Sequence, residues 1–154
     1  MGDTVQLQRF PSWRQAVQDF LSEFKYGDIV THEWLEEHFG IPTLRDSQRL
    51  TAEEFRDRQF AWLASIEAFK SELLRDHQVC LESVRGEGYR WTFPSEQTGV
   101  AIKEFERDAR RVFRTAGRRL HHIRLDELSE NQRRENLDAV TRLSGIRGMI
   151  KQLK

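Results

Sequence analysis

Apolar residues recur along the chain at two periods. Phe10, Trp13, Ala16, Val17, Phe20, Leu21 and Phe24 fall three or four positions apart, which is the stripe of an amphipathic helix. Ser12, with Gln15 three residues on, has the form of a capping box. A first helix is therefore predicted over about 12–25, stopped by Tyr26-Gly27-Asp28. Ile29-Val30 fit a very short strand. Thr31 is placed to cap a second helix from His32 to Phe39. Gly40 is placed to end it, because glycine reaches the left-handed conformation without a Cβ penalty. A polar loop runs from Ile41-Pro42 to about Leu50. Thr51 and Glu54 then form a second capping box, opening a helix to about Arg75 with Phe55, Trp62, Ile66, Phe69 and Leu73 on its buried stripe.

After that helix the period becomes that of a strand. Val79-Cys80-Leu81-Glu82-Ser83-Val84 and Tyr89-Arg90-Trp91-Thr92-Phe93 alternate, with Arg85-Gly86-Glu87-Gly88 between them as a hairpin tip. Pro94-Ser95 closes this segment. Helical spacing returns over 97–120, with Ile102, Phe105, Ala109, Val112, Phe113, Ala116 and Leu120 on one face. Leu125-Asp126-Glu127-Leu128-Ser129 is a connector, and Ser129 with Gln132 makes a third capping box. The last helix carries Leu137, Val140, Leu143, Ile146 and Ile150. Gly145 and Gly148 weaken its end, each by about 1 kcal/mol relative to Ala. The expected fold is mainly α with a small β-hairpin. Its element order is that of a winged helix-turn-helix, followed by a C-terminal αα-hairpin.

The hairpin carries the most specific motif. Gly86 and Gly88 permit positive φ and a tight reversal. Tyr89, Trp91 and Phe93 share one face and are expected to pack on the third helix. Arg85 and Arg90 are expected at the tip and on the outer face, where a guanidinium reaches a phosphate or the minor groove. Val84-Arg85-Gly86-Glu87-Gly88-Tyr89-Arg90-Trp91 resembles the wing of the OmpR/PhoB-type winged-helix DNA-binding domains. Leu73-Leu74-Arg75, a short linker and Val79 to Val84 resemble the end of their recognition helix and their first wing strand. The likeness covers roughly residues 26–94, with its specific part confined to about ten. The chain also resembles small winged-helix proteins of bacteriophages and prophages, in which the wing is followed by a Pro-x-x-Gln-Thr step. Here that step is Pro94-Ser95-Glu96-Gln97-Thr98. These resemblances imply a DNA-binding regulator of transcription or replication.

Charge complicates the picture. The chain has 25 basic and 25 acidic residues and a net charge of zero. Residues 1–96 hold 11 Lys/Arg against 17 Asp/Glu, a net −6, and residues 97–154 hold 14 against 8, a net +6. A nucleic-acid footprint is then local rather than global. The outward face of the 51–75 helix holds Glu53, Asp57, Ala64, Ala68, Ser71 and Arg75, flanked by Glu67 and Arg56. That face is small and slightly acidic, unlike the Arg, Lys, Asn and Gln of a usual base reader. Arg45, Arg49, Arg56 and Arg58 cluster near its N-terminal end, in a position to clasp a backbone.

The helix over 97–120 supplies the missing charge. Lys103, Arg107, Arg110, Arg111, Arg114 and Arg118 fall on one face, nearly opposite its apolar stripe. Arg119, His121 and His122 extend the charge. Such a stripe follows a phosphate backbone, docks on an acidic protein surface, or is a solvated face partly paired with Glu104 and Asp108. Its last-turn cations also suit the helix dipole. Two helices with apolar stripes do not bury both by themselves, so they are expected to pack on the winged helix or on a second copy; a homodimer through the C-terminal helices is the prediction, which suits pseudo-palindromic DNA.

Catalysis is not expected. His32-Glu33 with His38 lacks the four-residue histidine spacing of a zincin helix. His121 and His122 are adjacent and diverge on a helix. Cys80, the single cysteine, reads as a core thiol near His77. Gly86-Glu87-Gly88 lacks the third glycine and following helix of a nucleotide loop. No cofactor or metal is expected. No run approaches the roughly 18 apolar residues of a spanning helix. The first residues lack a secretory pattern, and Gln6 breaks the myristoylation motif. A cytoplasmic protein, in the host cell if phage-encoded, is the expectation.

The sequence thus predicts a flexible arm over 1–9, a winged-helix domain over 10–96 and a basic helical hairpin over 97–154. It predicts duplex-DNA binding through Arg45, Arg49, Arg56, Arg75, Arg85, Arg90, Lys103, Arg107, Arg110, Arg111, Arg114 and Arg118. The alternative is a non-catalytic interaction module. It would bind and modulate a host protein through its acidic winged-helix face or its basic C-terminal helix.

Overall fold

The computed structural model describes residues 12–42, 44 and 49–153. The arm expected over 1–9 and the candidate Arg45 lie outside the described residues. Among these residues the order is α1 (Ser12–Glu23), β1 (Ile29–Thr31), α2 (His32–Phe39), α3 (Ala52–His77), β2 (Leu81–Val84), β3 (Gly88–Trp91), α4 (Pro94–His121) and α5 (Glu130–Ile150). Short 3-10 turns occupy Leu125–Glu127 and Lys151–Leu153. The protein is mainly helical with one small antiparallel sheet. It divides into two compact units, Met1–Gln97 and Thr98–Lys154.

Local chemistry sets most helix starts. The Thr51 hydroxyl accepts from the Glu54 N–H at 3.2 Å, and the Glu54 carboxylate accepts from the Thr51 N–H at 2.8 Å. Ser129 and Gln132 close the same ring, at 3.3 and 2.9 Å. Thr31 caps α2 by accepting from the Trp34 N–H at 3.2 Å. Gly40 ends α2 at φ +69°. Ser12 behaves differently from the expected cap. Its hydroxyl donates to the Phe39 carbonyl at 2.9 Å, supplying one of the unpaired acceptors at the C-terminal end of α2. Gln15 turns instead to Asp19, at 3.0 Å. Pro94, expected only to close the strand segment, opens α4. A missing N–H costs nothing in a first helical turn.

The sheet order is β1-β3-β2, all antiparallel. β3 is central, pairing Val30 with Tyr89 on one side and Ser83 with Tyr89 on the other. Gly88 stands opposite Thr31 and Val84 at φ +156°. A Cβ there would strike the Val30 carbonyl oxygen and lie 2.9 Å from Thr31 Cα. This glycine is therefore required by the close approach of β1 as well as by the reversal.

The core of the first unit gathers Ala16, Val17 and Phe20 of α1, Val30 of β1, Leu35 and Phe39 of α2, Ile66, Phe69 and Leu73 of α3, then Val79 and Leu81. Phe20 lies within 5.0–6.5 Å of four rings, those of Phe24, Trp34, Phe69 and Trp91. Trp91 thus packs on Phe20 of α1 and against the core that α3 shares. Tyr89 does meet α3, where the Lys70 ammonium sits 5.3 Å from its ring. Phe93 stays exposed and stacks on Tyr26 at 5.9 Å. The expected stripe of α3 is buried only in its second half. Phe55 is exposed and Trp62 half-buried, because the first turns extend past the core.

In the second unit α4 and α5 run as an antiparallel pair. Asn136 donates to the Leu120 carbonyl at 3.1 Å, and Arg133 to the Leu125 carbonyl at 2.8 Å. Among the described residues of this unit only Val100 is buried.

Candidate nucleic-acid interface

An α-helix advances about 100° per residue. On α4 this brings Lys103, Arg107, Arg110, Arg111, Arg114 and Arg118 within an arc of about 100°. All six are exposed. The 15 steps from Lys103 to Arg118 span about 22 Å at 1.5 Å per residue. Arg107 and Arg111 both reach Asp108, at 3.4 and 3.2 Å. Among the described residues no ion pair holds Arg110, Arg114 or Arg118.

These three line a groove between α4 and α5 together with Ser144, Arg147 and Lys151, over a floor that includes Phe113, Leu143 and Ile150. One carboxylate oxygen of Glu106, which also lines the groove, is buried without a hydrogen-bond partner among the described residues. Arg147 and Lys151 were not among the sequence candidates. Their signal lay in the antiparallel pairing, which sets the last turns of α5 beside the middle of α4.

The first unit treats its arginines unequally. Arg85 sits exposed in the turn between β2 and β3, next to Gly86 at φ +79°, and among the described residues it has no ion-pair partner. Arg90 faces Glu82 across the β2–β3 ladder and is held at 3.0 Å by Glu82 and 2.8 Å by Glu96. Hydrogen bonds to Glu96 and then Glu82 raise its pKa above the ordinary arginine value. It is an internal tie rather than the free outer cation expected. Arg75 is exposed but grips Asp76 through two hydrogen bonds, at 2.8 and 3.0 Å, which raise the Arg75 pKa and lower that of Asp76. Arg58, expected in the clasp at the start of α3, is committed to Glu36 at 2.8 Å and to the Pro42 carbonyl at 3.1 Å. Arg49 and Arg56 remain exposed near that helix end.

His32 and His38 pack against aromatic rings. His38 stacks on Trp34 at 3.6 Å and lies 3.8 Å from Asp19. His32 meets the rings of Trp62 and Tyr89 edge-on, each at 5.8 Å. Among the described residues no group of three or more His, Cys, Asp or Glu side chains is placed to hold a metal ion. No helix among them is long and apolar enough to cross a membrane. The side chains therefore offer an exposed basic row on α4, an arginine at a hairpin tip, and arginines held by acids at positions 58, 75 and 90. No protein-family model, no curated protein and no solved structure matches the chain.

Proposed function

We propose that the chain is a winged-helix protein that binds duplex DNA and regulates transcription or replication, in the manner of small phage and prophage regulators acting in the host cytoplasm. The exposed arginine row of α4 carries this reading, because three of its cations have no ion-pair partner among the described residues to release before meeting a phosphate. The order α1-β1-α2-α3-β2-β3 with sheet order β1-β3-β2 supports the winged-helix assignment. Arg85 at the hairpin tip supplies a separate contact in the first unit. The outward face of α3 is small and slightly acidic, so binding rests on phosphates more than on base edges. Affinity is then steeply salt-dependent and weakly sequence-dependent.

A second reading is a non-catalytic module that docks on a host protein. The pairing of Arg75 and Arg90 with acids favours it, as does the net −6 of residues 1–96. Fluorescence anisotropy of the full chain on random duplex DNA, at two salt concentrations, separates the readings. Each lost phosphate contact lowers the salt slope by about 0.9, so an Arg110→Ala/Arg111→Ala/Arg114→Ala variant is expected to lose about 2–3. Arg85→Ala is expected to weaken binding without unfolding. Absence of binding up to micromolar protein near physiological salt overturns the DNA reading and turns attention to a host protein.

A further inference from the structure

The groove between α4 and α5 consists of two adjoining cavities of unlike chemistry. The first, of about 210 Å³, has Ala109, Phe113 and Ile150 as its apolar wall and Glu106 among its lining. The second, of about 200 Å³, is lined by Arg114, Gly117, Arg118 and Ser144. Phe113 and Arg147 belong to both. Joined, they reach the size of small-molecule pockets, which begin at about 300 Å³.

Charge divides the groove in the same way. Arg114 and Arg118 enter the second cavity from α4, and Arg147 enters from α5. Among the described residues no ion pair holds any of the three. Like charges that converge without an acid repel one another, and an anion set between them removes that repulsion. Guanidinium forks from two helices suit a phosphate in particular. The first cavity asks for something different. Among the described residues no hydrogen bond or ion pair engages the Glu106 carboxylate. An acid there turns a phosphate away and accepts from an N–H donor. On α4, eight steps separate Glu106 from Arg114, about 12 Å at 1.5 Å per residue. That is comparable with the reach of a nucleoside monophosphate from its phosphate to the far edge of its base.

We propose that the α4–α5 groove binds a free nucleotide. The phosphate lies between Arg114 and Arg147, the base covers Phe113 and Ile150, and an exocyclic amine of the base meets Glu106. A continuous strand of phosphates does not fit the same path, because Glu106 stands at one end of it. The site shares Arg114 with the row proposed for DNA, but it does not rest on that reading and is measured without DNA.

Isothermal titration calorimetry of the full chain with adenosine 5′-monophosphate tests the proposal. Saturable binding at one site per chain is expected, with inorganic phosphate and adenosine each at least about tenfold weaker. Nothing lies within 4 Å of a Cβ added at Gly117. Gly117→Leu therefore fills the second cavity, keeps every cation and suits a helix better than glycine does. It is expected to weaken the nucleotide at least about tenfold with helical circular dichroism retained. Should it disturb folding, Arg114→Gln/Arg147→Gln is expected to give the same loss. Glu106→Ala is expected to weaken the nucleotide and leave inorganic phosphate unchanged, whereas Arg134→Ala, outside the groove, alters neither. A nucleotide that binds no tighter than inorganic phosphate overturns the proposal. So does a folded Gly117→Leu or Arg114→Gln/Arg147→Gln chain that binds it as the wild type does.

Discussion

Arg90 reaches Glu96 at 2.8 Å from the middle of β3, and the same Nη2 holds Glu82 of β2 at 3.0 Å. One guanidinium thus ties the hairpin to the first turn of α4. Replacing it with alanine leaves two acids facing each other over the end of the sheet. Arg90→Ala is expected to lower the melting temperature while DNA affinity at matched salt stays unchanged. Arg85→Ala is expected to do the reverse. Thermal unfolding beside anisotropy distinguishes the two, and a Tm unchanged in Arg90→Ala would show the tie to be inert.

Asp76 reports on the Arg75 pair through pH. The Arg75 hydrogen bonds hold its carboxyl below the usual aspartate value. A depressed carboxyl stabilises the fold above its unfolded pKa, about 3.9, and that contribution fades as pH falls through the lower folded value. NMR titration is expected to place the Asp76 midpoint below the ordinary one. Arg75→Ala is expected to return it toward that value. Identical midpoints in the two proteins would contradict the pairing.

Gly86 and Gly88 both have positive φ but should differ sharply in tolerance. Nothing lies within 4 Å of a Cβ added at Gly86, so Gly86→Ala is expected to cost only the left-handed strain, about 1–2 kcal/mol. Gly88→Ala adds a collision with the β1 backbone. Overpacking then joins the strain, for a loss of about 2–5 kcal/mol. Urea denaturation of the pair measures the gap.

Thr92 is 2% exposed and its hydroxyl has no hydrogen-bond partner among the described residues. Valine keeps the shape and removes an unsatisfied polar atom. Thr92→Val is expected to be neutral or to stabilise by about 1 kcal/mol. A clear loss in urea midpoint would reveal a partner for that hydroxyl.

The sequence exposed those features whose partners are close along the chain. Thr51 with Glu54, Ser129 with Gln132, and Gly40 after α2 are complete within a few residues, so spacing alone identified them. Ser12 was misjudged because its partner, the Phe39 carbonyl, lies 27 residues on. The binding candidates divide in the same way. The arginine row of α4 follows from helical geometry and is exposed as expected. The pairing of Arg90 depends on β2 and α4 both returning to it, and that of Arg58 on α2 and the following loop. Phe55 shows another limit: periodicity marks an apolar face but does not say where the core beneath it ends.

The sheet also bears on how the chain avoids unwanted assembly. Its outer strands are only three and four residues long, Ile29–Thr31 and Leu81–Val84. The first runs straight into α2, and the second carries Glu82 in its ladder. Fibril growth by strand addition needs a flat segment of about six or seven uncharged residues, and neither edge provides one. Aggregation on overexpression would then be expected to begin at the bare helical faces of the C-terminal unit, and its product to remain rich in helix rather than convert to cross-β.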